Sequence, residues 1–245
     1  MSSTLLAALQ NSLLPFAATL FGGLAAVWRT PTPLMRSAIQ HFAAGVVFSA
    51  IAVELLPELV GTHASIPVMI GFIAGILLML IVKSWTKKFS SFPRLNTEQI
   101  NTNGMVTIVA IDIFIDGLLI GISYAAGESR GQMLSYALTL ELGFLGLAVA
   151  SGLAAASVPR RKILLIVAGL AALVVAGIVI GVVALSGVSR PMLAALLAFG
   201  AAALLYLVTE ELLVEAHEVP ETPWLTGAFF VGFLAFLELG INAGV

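Results

Sequence analysis

Residues Met105–Ala126 read MVTIVAIDIFIDGLLIGISYAA, an apolar run with no basic residue and with two aspartates, Asp112 and Asp116, set well inside it. About 20 apolar residues make a helix long enough to cross a ~30 Å hydrocarbon core. This stretch is therefore read as a membrane helix with two acids in its interior. Similar runs recur along the 245-residue chain, which is 60% hydrophobic and only 10% charged. Its mean hydropathy is +1.10. A soluble domain carries roughly 25% charged residues, so this chain has too little polar surface to coat itself in water. One membrane domain spanning residues 1–245 is expected, with membrane lipid as its surroundings.

Apolar runs between Gly, Pro and charged punctuation predict eight spans: Leu5 to Trp28, Ser37 to Val60, Ser65 to Val82, Met105 to Ala126, Met133 to Val158, Ile163 to Leu185, Pro191 to Ala216 and Trp224 to Ile241. Met1 to Leu14 lacks the basic start and small-residue cleavage site of a secretory signal, so the first run is expected to remain as a helix. The one long connection, residues 83–104, is polar.

Cations mark the cytoplasmic side of a membrane protein. Arg29, Arg36, Lys83, Lys87, Lys88, Arg94, Arg160, Arg161 and Lys162 fall on one side of an eight-span path, and only Arg130 and Arg190 on the other. This bias makes 83–104 a cytoplasmic loop and puts both termini outside the cytoplasm, in a cell (plasma or inner) membrane. The net charge of -2, with no basic stripe, argues against a nucleic-acid partner. The absence of cysteine excludes disulfides, iron-sulfur clusters and thiolate zinc sites.

Two spans echo each other. Phe42-Ala-Ala-Gly45 precedes Glu54-Leu-Leu-Pro-Glu58, and Phe199-Gly-Ala-Ala202 precedes Glu211-Leu-Leu-Val-Glu215, with identical internal spacing. The second and seventh helices run in opposite directions in an eight-span path. An echo between antiparallel helices suggests an inverted repeat, helices 1–3 mirrored by helices 6–8 around helices 4 and 5, as in many transporters.

Ionisable groups inside a membrane span are costly and mark functional sites. Asp112 and Asp116 lie one helical turn apart, ~6 Å, on one face. Glu141 in the fifth span is roughly 12 Å in from the end of that span at 1.5 Å per residue. Antiparallel packing across the short Gly127 to Gln132 link brings the three acids to a similar depth. Bare anions at that range repel strongly. A divalent cation bound by acid oxygens and water resolves the conflict. A proton relay without metal and a purely structural cluster are the other readings of these acids. Glu54 with Glu58, and Glu211 with Glu215, place an acidic pair at each end of a route. Glu210 points about 100° away from Glu211, and His217 follows the second pair as a candidate exit ligand. His41 and His63 are assigned to span ends or a loop, and Glu238 to water. Pro57 is expected to kink its helix.

These residues resemble the ZIP (Zrt/Irt-like) family of metal transporters. The likeness rests on the eight spans, the long third connection, Glu54-Leu-Leu-Pro-Glu58, Asp112-Ile-Phe-Ile-Asp116-Gly117 through Gly121, and Glu141 followed by Gly146 to Ala150. The family's fourth helix typically reads His-Asn-x-Pro-Glu-Gly and its fifth His-Glu-x-Pro-Glu-Gly. Register against these motifs puts Asp112 at the first histidine, Asp116 at the glutamate and Glu141 at the fifth-helix histidine. Ile113, Ile115, Leu142, Phe144 and Leu145 replace other motif residues, and the sixth span has no acid.

The resemblance implies an all-α ZIP-like bundle that imports a divalent metal through Asp112, Asp116 and Glu141, with at most one ion in the core. Zn²⁺, Mn²⁺, Fe²⁺ and Cd²⁺ are candidate substrates, and the oxygen-only set is more at home with Mn²⁺, Fe²⁺, Mg²⁺ or Ca²⁺ than with Zn²⁺, which also binds carboxylates. No cofactor and no enzymatic activity are expected. Two acids on one helix are poorly placed for hydrolysis, which needs them across a scissile bond. A second copy of the chain is the candidate protein partner. A proton-coupled carrier of an organic cation and a transport-inactive regulatory homologue are the alternative functions.

Overall fold

The computed structural model describes residues 2–28, 31–90, 102–185, 187–220 and 222–243, and these are helices and short links with no strand among them. Eight helices are long and apolar enough to cross a membrane. They are α1 (Ser2–Trp28), α2 (Pro33–Gly61), α3 (Ser65–Ser90), α4 (Thr102–Ala126), α5 (Glu128–Ala155), α6 (Arg160–Leu185), α7 (Arg190–Ala216) and α8 (Pro223–Ala243).

Three boundaries correct the sequence expectation. The connection assigned to 83–104 is helical at both ends: α3 continues to Ser90 and α4 opens at Thr102. Residues 91–101 lie outside the described residues. The Gly127–Gln132 link contracts to Gly127, because α5 begins at Glu128 and not at Met133. Gly127 N donates to Ser123 O and Gly131 N to Gly127 O, while the Arg130 guanidinium donates to Ala126 O at 2.8 Å. A polar first turn is thus satisfied by the end of α4, and its composition alone reads as loop. Glu141 consequently sits about 20 Å along α5 rather than 12.

Helices α2 and α7 are each interrupted by a π turn, at Ile51–Leu55 and Val208–Leu212. Leu56 N reaches back to Ile51 O and Leu213 N to Val208 O, i→i−5 bonds that widen the helix by one residue. Pro57 lacks an N–H and stands beside the first of these turns, but no proline accompanies the second. The kink expected at Pro57 is therefore a π turn, repeated without proline in α7.

Apolar packing organises the bundle in matched pairs. α1 packs on α5 and α6, α4 packs on α6 and α5, α2 packs on α8, and α3 packs on α7. Of the α2 and α7 windows, 61% of residues are buried, against 17% for α3 and 22% for α8, so the two acid-bearing echo helices are central and α3 and α8 flank them. The α4–α6 crossing is the closest support of the aspartates. A Cβ on Gly117 would lie 2.5 Å from Val174 O, and one on Gly177 2.7 Å from Phe114 O, so the two backbones touch there only because both residues are glycine.

Candidate metal centre

Helix periodicity puts Asp112 and Asp116 on one face of α4, and the antiparallel α4–α5 pair brings Glu141 opposite them. One carboxylate oxygen from each lies within 4.8 Å of the others. Glu141 is fully buried and Asp116 is 2% exposed. Asp112, one turn closer to the start of α4, is half-buried. Both Glu141 oxygens and Asp116 Oδ2 are buried without a hydrogen-bond partner. Among the described residues, no Lys, Arg or His makes an ion pair with any of the three. On the same helices, Ile113, Leu138 and Leu142 are fully buried and apolar.

Orphaned buried carboxylate oxygens are costly. At this separation, two full anions would repel by about 3.5 kcal/mol even with an effective dielectric of about 20. A bound cation answers both penalties, and three hard oxygen donors fit a divalent ion of the Mn²⁺ or Fe²⁺ type.

The remaining acids divide by helix end. At the far end of α2, Glu54 stands in the π turn, 4% exposed, and Glu58 follows in the next turn. Arg130 from the first turn of α5 covers both: Nη2 donates to Glu58 Oε2 at 2.7 Å, and Nε lies 3.9 Å from Glu54 Oε1. Between this end and the carboxylate cluster, Leu55, Leu119, Ile122, Leu134, Leu197 and Leu204 close on a void of about 10 Å³, at the lower limit for one water.

At the opposite end, Glu211 of the α7 π turn is half-buried, and Glu210, Glu215 and His217 are exposed. Glu210 turns aside to pair with Lys83 at 2.5 Å, in keeping with its expected divergence from Glu211. Gln40 Nε2 donates to Glu215 Oε2 at 2.5 Å. Ser37 Oγ donates to Ala216 O at 2.7 Å, clasping the start of α2 to the end of α7. The His41 ring is only 3% exposed, lies with Nδ1 2.9 Å from Ser37 O, and meets the His217 ring edge-on at 5.1 Å. His41 is thus a member of this end, near the start of α2 as assigned, and it is buried there. Glu238 is exposed, as expected, with Asn242 beside it.

Sequence reasoning brought Asp112, Asp116 and Glu141 to one place, and the structure does the same. It missed Arg130, Gln40 and His41. The signal for Arg130 was available: it is one of only two basic residues on the side of the chain where Glu54 and Glu58 end their helix.

No protein-family model matches the chain, and no curated protein matches it either.

Proposed function

We propose that the protein is a ZIP-like carrier of divalent metal cations whose substrate binds Asp112, Asp116 and Glu141 midway across the membrane. The convergence of these three acids in the interior, with orphaned oxygens and no basic partner among the described residues, carries this reading. The oxygen-only donor set favours Mn²⁺ or Fe²⁺ over Zn²⁺.

An inverted repeat of helices α1–α3 and α6–α8 is supported by two observations beyond the sequence echo. The π turns begin at Ile51 and Val208, 157 residues apart, the same separation as Glu54 and Glu211. Exchanging α1 with α6, α2 with α7, α3 with α8 and α4 with α5 turns the α1–α5 packing into α6–α4, and α2–α8 into α7–α3. Alternating access by rocking of such halves is the transport mode this symmetry serves. The distribution of cations puts the Glu215 end in the cytoplasm and the Glu54 end, with both termini, outside. Exposure rises from Glu141 through Asp116 and Asp112 to Glu215, which supports access to the cluster from the Glu215 end.

Metal uptake into proteoliposomes tests the reading. Parent protein is expected to accumulate Mn²⁺, and Asp116→Ala or Glu141→Ala to lose at least about a hundredfold, since even outer-shell partners of a metal are worth 10–100-fold. Uptake by both variants at the parent rate would reject the core site. Flux of an organic amine that persists in strong chelator would favour the organic-cation carrier, and a parent without any flux would favour a regulatory homologue.

A further inference from the structure

The acidic pair of α2 is not free to bind a cation unopposed: one built into the chain already occupies it. Glu54 is 4% exposed, and its Oε1 accepts no hydrogen bond in the buried interior, although Arg130 Nε is 3.9 Å away. Glu58, half-buried, takes the full charge-assisted bond at 2.7 Å. The same guanidinium donates through Nη1 to Ala126 O, the last residue of α4. One side chain therefore ties α2, α4 and α5 together at one end of the bundle. Directly beneath lies the apolar plug of Leu55, Leu119, Ile122 and Leu134, with Ser123 at its wall. Two carboxylates face one guanidinium, which leaves the group with a net negative charge and one carboxylate oxygen incompletely satisfied. A divalent ion neutralises two carboxylates where the guanidinium neutralises one, and it can bind both at short range.

We propose that Arg130 is a tethered counter-cation that latches the outer end of the route shut, and that an arriving divalent cation opens it by displacing the guanidinium from Glu54 and Glu58. The inference rests on the carrier reading for the identity of the displacing ion. The latch would make opening depend on the presence of substrate on the outer side, so that the empty protein is not left open there. Arg130 is a positioning residue in this scheme and touches no metal.

The chain contains no cysteine, so a single introduced thiol reports without background. Ser123→Cys, at a side chain 2% exposed in the plug, is reacted in the purified full chain with a charged maleimide, and Glu218→Cys, exposed at the other end, serves as the reference. The Ser123→Cys thiol is expected to react slowly in the parent. Adding Arg130→Gln should speed it roughly tenfold, the population shift that follows loss of ~1.4 kcal/mol of ion pairing, while Arg130→Lys stays slow because it keeps the charge. Mn²⁺ should speed the reaction with Arg130 present, and should add nothing once Glu54→Gln and Glu58→Gln are introduced. The Glu218→Cys rate should be the same throughout, which excludes general unfolding. Equal rates with and without Arg130→Gln, or no response to Mn²⁺ in the parent, would overturn the proposal. Thiol reactivity reads the outer end alone. If Arg130→Gln opens it and the parent transports no metal, the carrier reading fails and the latch stands; with metal flux intact and no opening, the latch alone fails.

Discussion

The acidic turn of α2, Glu54 to Glu58, and that of α7, Glu211 to Glu215, have the same spacing, and each begins inside a π turn. Their surroundings differ. Arg130 pairs directly with the first, above a leucine-lined void, whereas the second is half-buried at Glu211 and exposed at Glu215, with Gln40 as the hydrogen-bond partner of Glu215 and the cations Arg36 and Lys83 at its margin. Two acidic turns of the same spacing thus sit in different surroundings, and the difference lies in what neighbouring helices lay over them. In an inverted-repeat carrier the two arrangements would alternate.

The strongest way to break the comparison is to remove the shared feature. Deleting Ala52 removes the extra residue that the i→i−5 turn accommodates, so the α2 π turn becomes ordinary helix with Glu58 kept near its place and Glu54 reoriented within the turn. Proteoliposome Mn²⁺ uptake is expected to fall to background, and deletion of Thr209 in the α7 π turn should do the same. If one deletion is silent and the other is not, the two turns are not functional equivalents.

A milder change makes the Glu215 end resemble the Glu58 end. Gln40→Arg puts a fixed cation beside Glu215, where the glutamine now donates at 2.5 Å. Uptake is expected to fall up to about fivefold, as a retained surface ion pair of at most ~1 kcal/mol would impose, while Gln40→Ala stays near the parent rate. Equal uptake in Gln40→Arg and Gln40→Ala would separate charge at this end from transport.

Much of this was legible in the amino-acid order. The eight helices follow from apolar runs long enough to span a bilayer, and the shared face of Asp112 and Asp116 follows from a four-residue spacing. The approach of Glu141 follows from a link too short for anything but antiparallel packing. The π turns were not legible, since Ile51–Leu55 and Val208–Leu212 have no composition that selects i→i−5 bonding and only the first has a nearby proline. The start of α5 was hidden because Glu-Ser-Arg-Gly-Gln has the composition of a turn, and its role in capping α4 depends on tertiary contact. His41 gave no local sign either. It is buried because the end of α7 lies across the start of α2, a contact made by the clasp from Ser37 to Ala216.

That clasp yields the smallest effect. Ser37→Ala removes the buried hydrogen bond of 2.7 Å to Ala216 O and a longer contact of 3.4 Å to His41 Nδ1, for a loss of ~1 kcal/mol and a drop of about 2–4 °C in Tm for a chain of this size. Thermal unfolding of the purified protein measures it, and uptake is expected to stay close to that of the parent. A large loss of uptake without a change in Tm would make the clasp part of the transport route instead.

The central claim is that Asp112, Asp116 and Glu141 together hold a divalent cation. Electron paramagnetic resonance of Mn²⁺ added to the purified chain tests it without any transport assay. The parent is expected to withdraw Mn²⁺ from the free pool at one core site per chain. Asp116→Ala and Glu141→Ala should lose that site, and Glu54→Gln with Glu58→Gln should keep it. Undiminished binding in Asp116→Ala and Glu141→Ala would contradict the account.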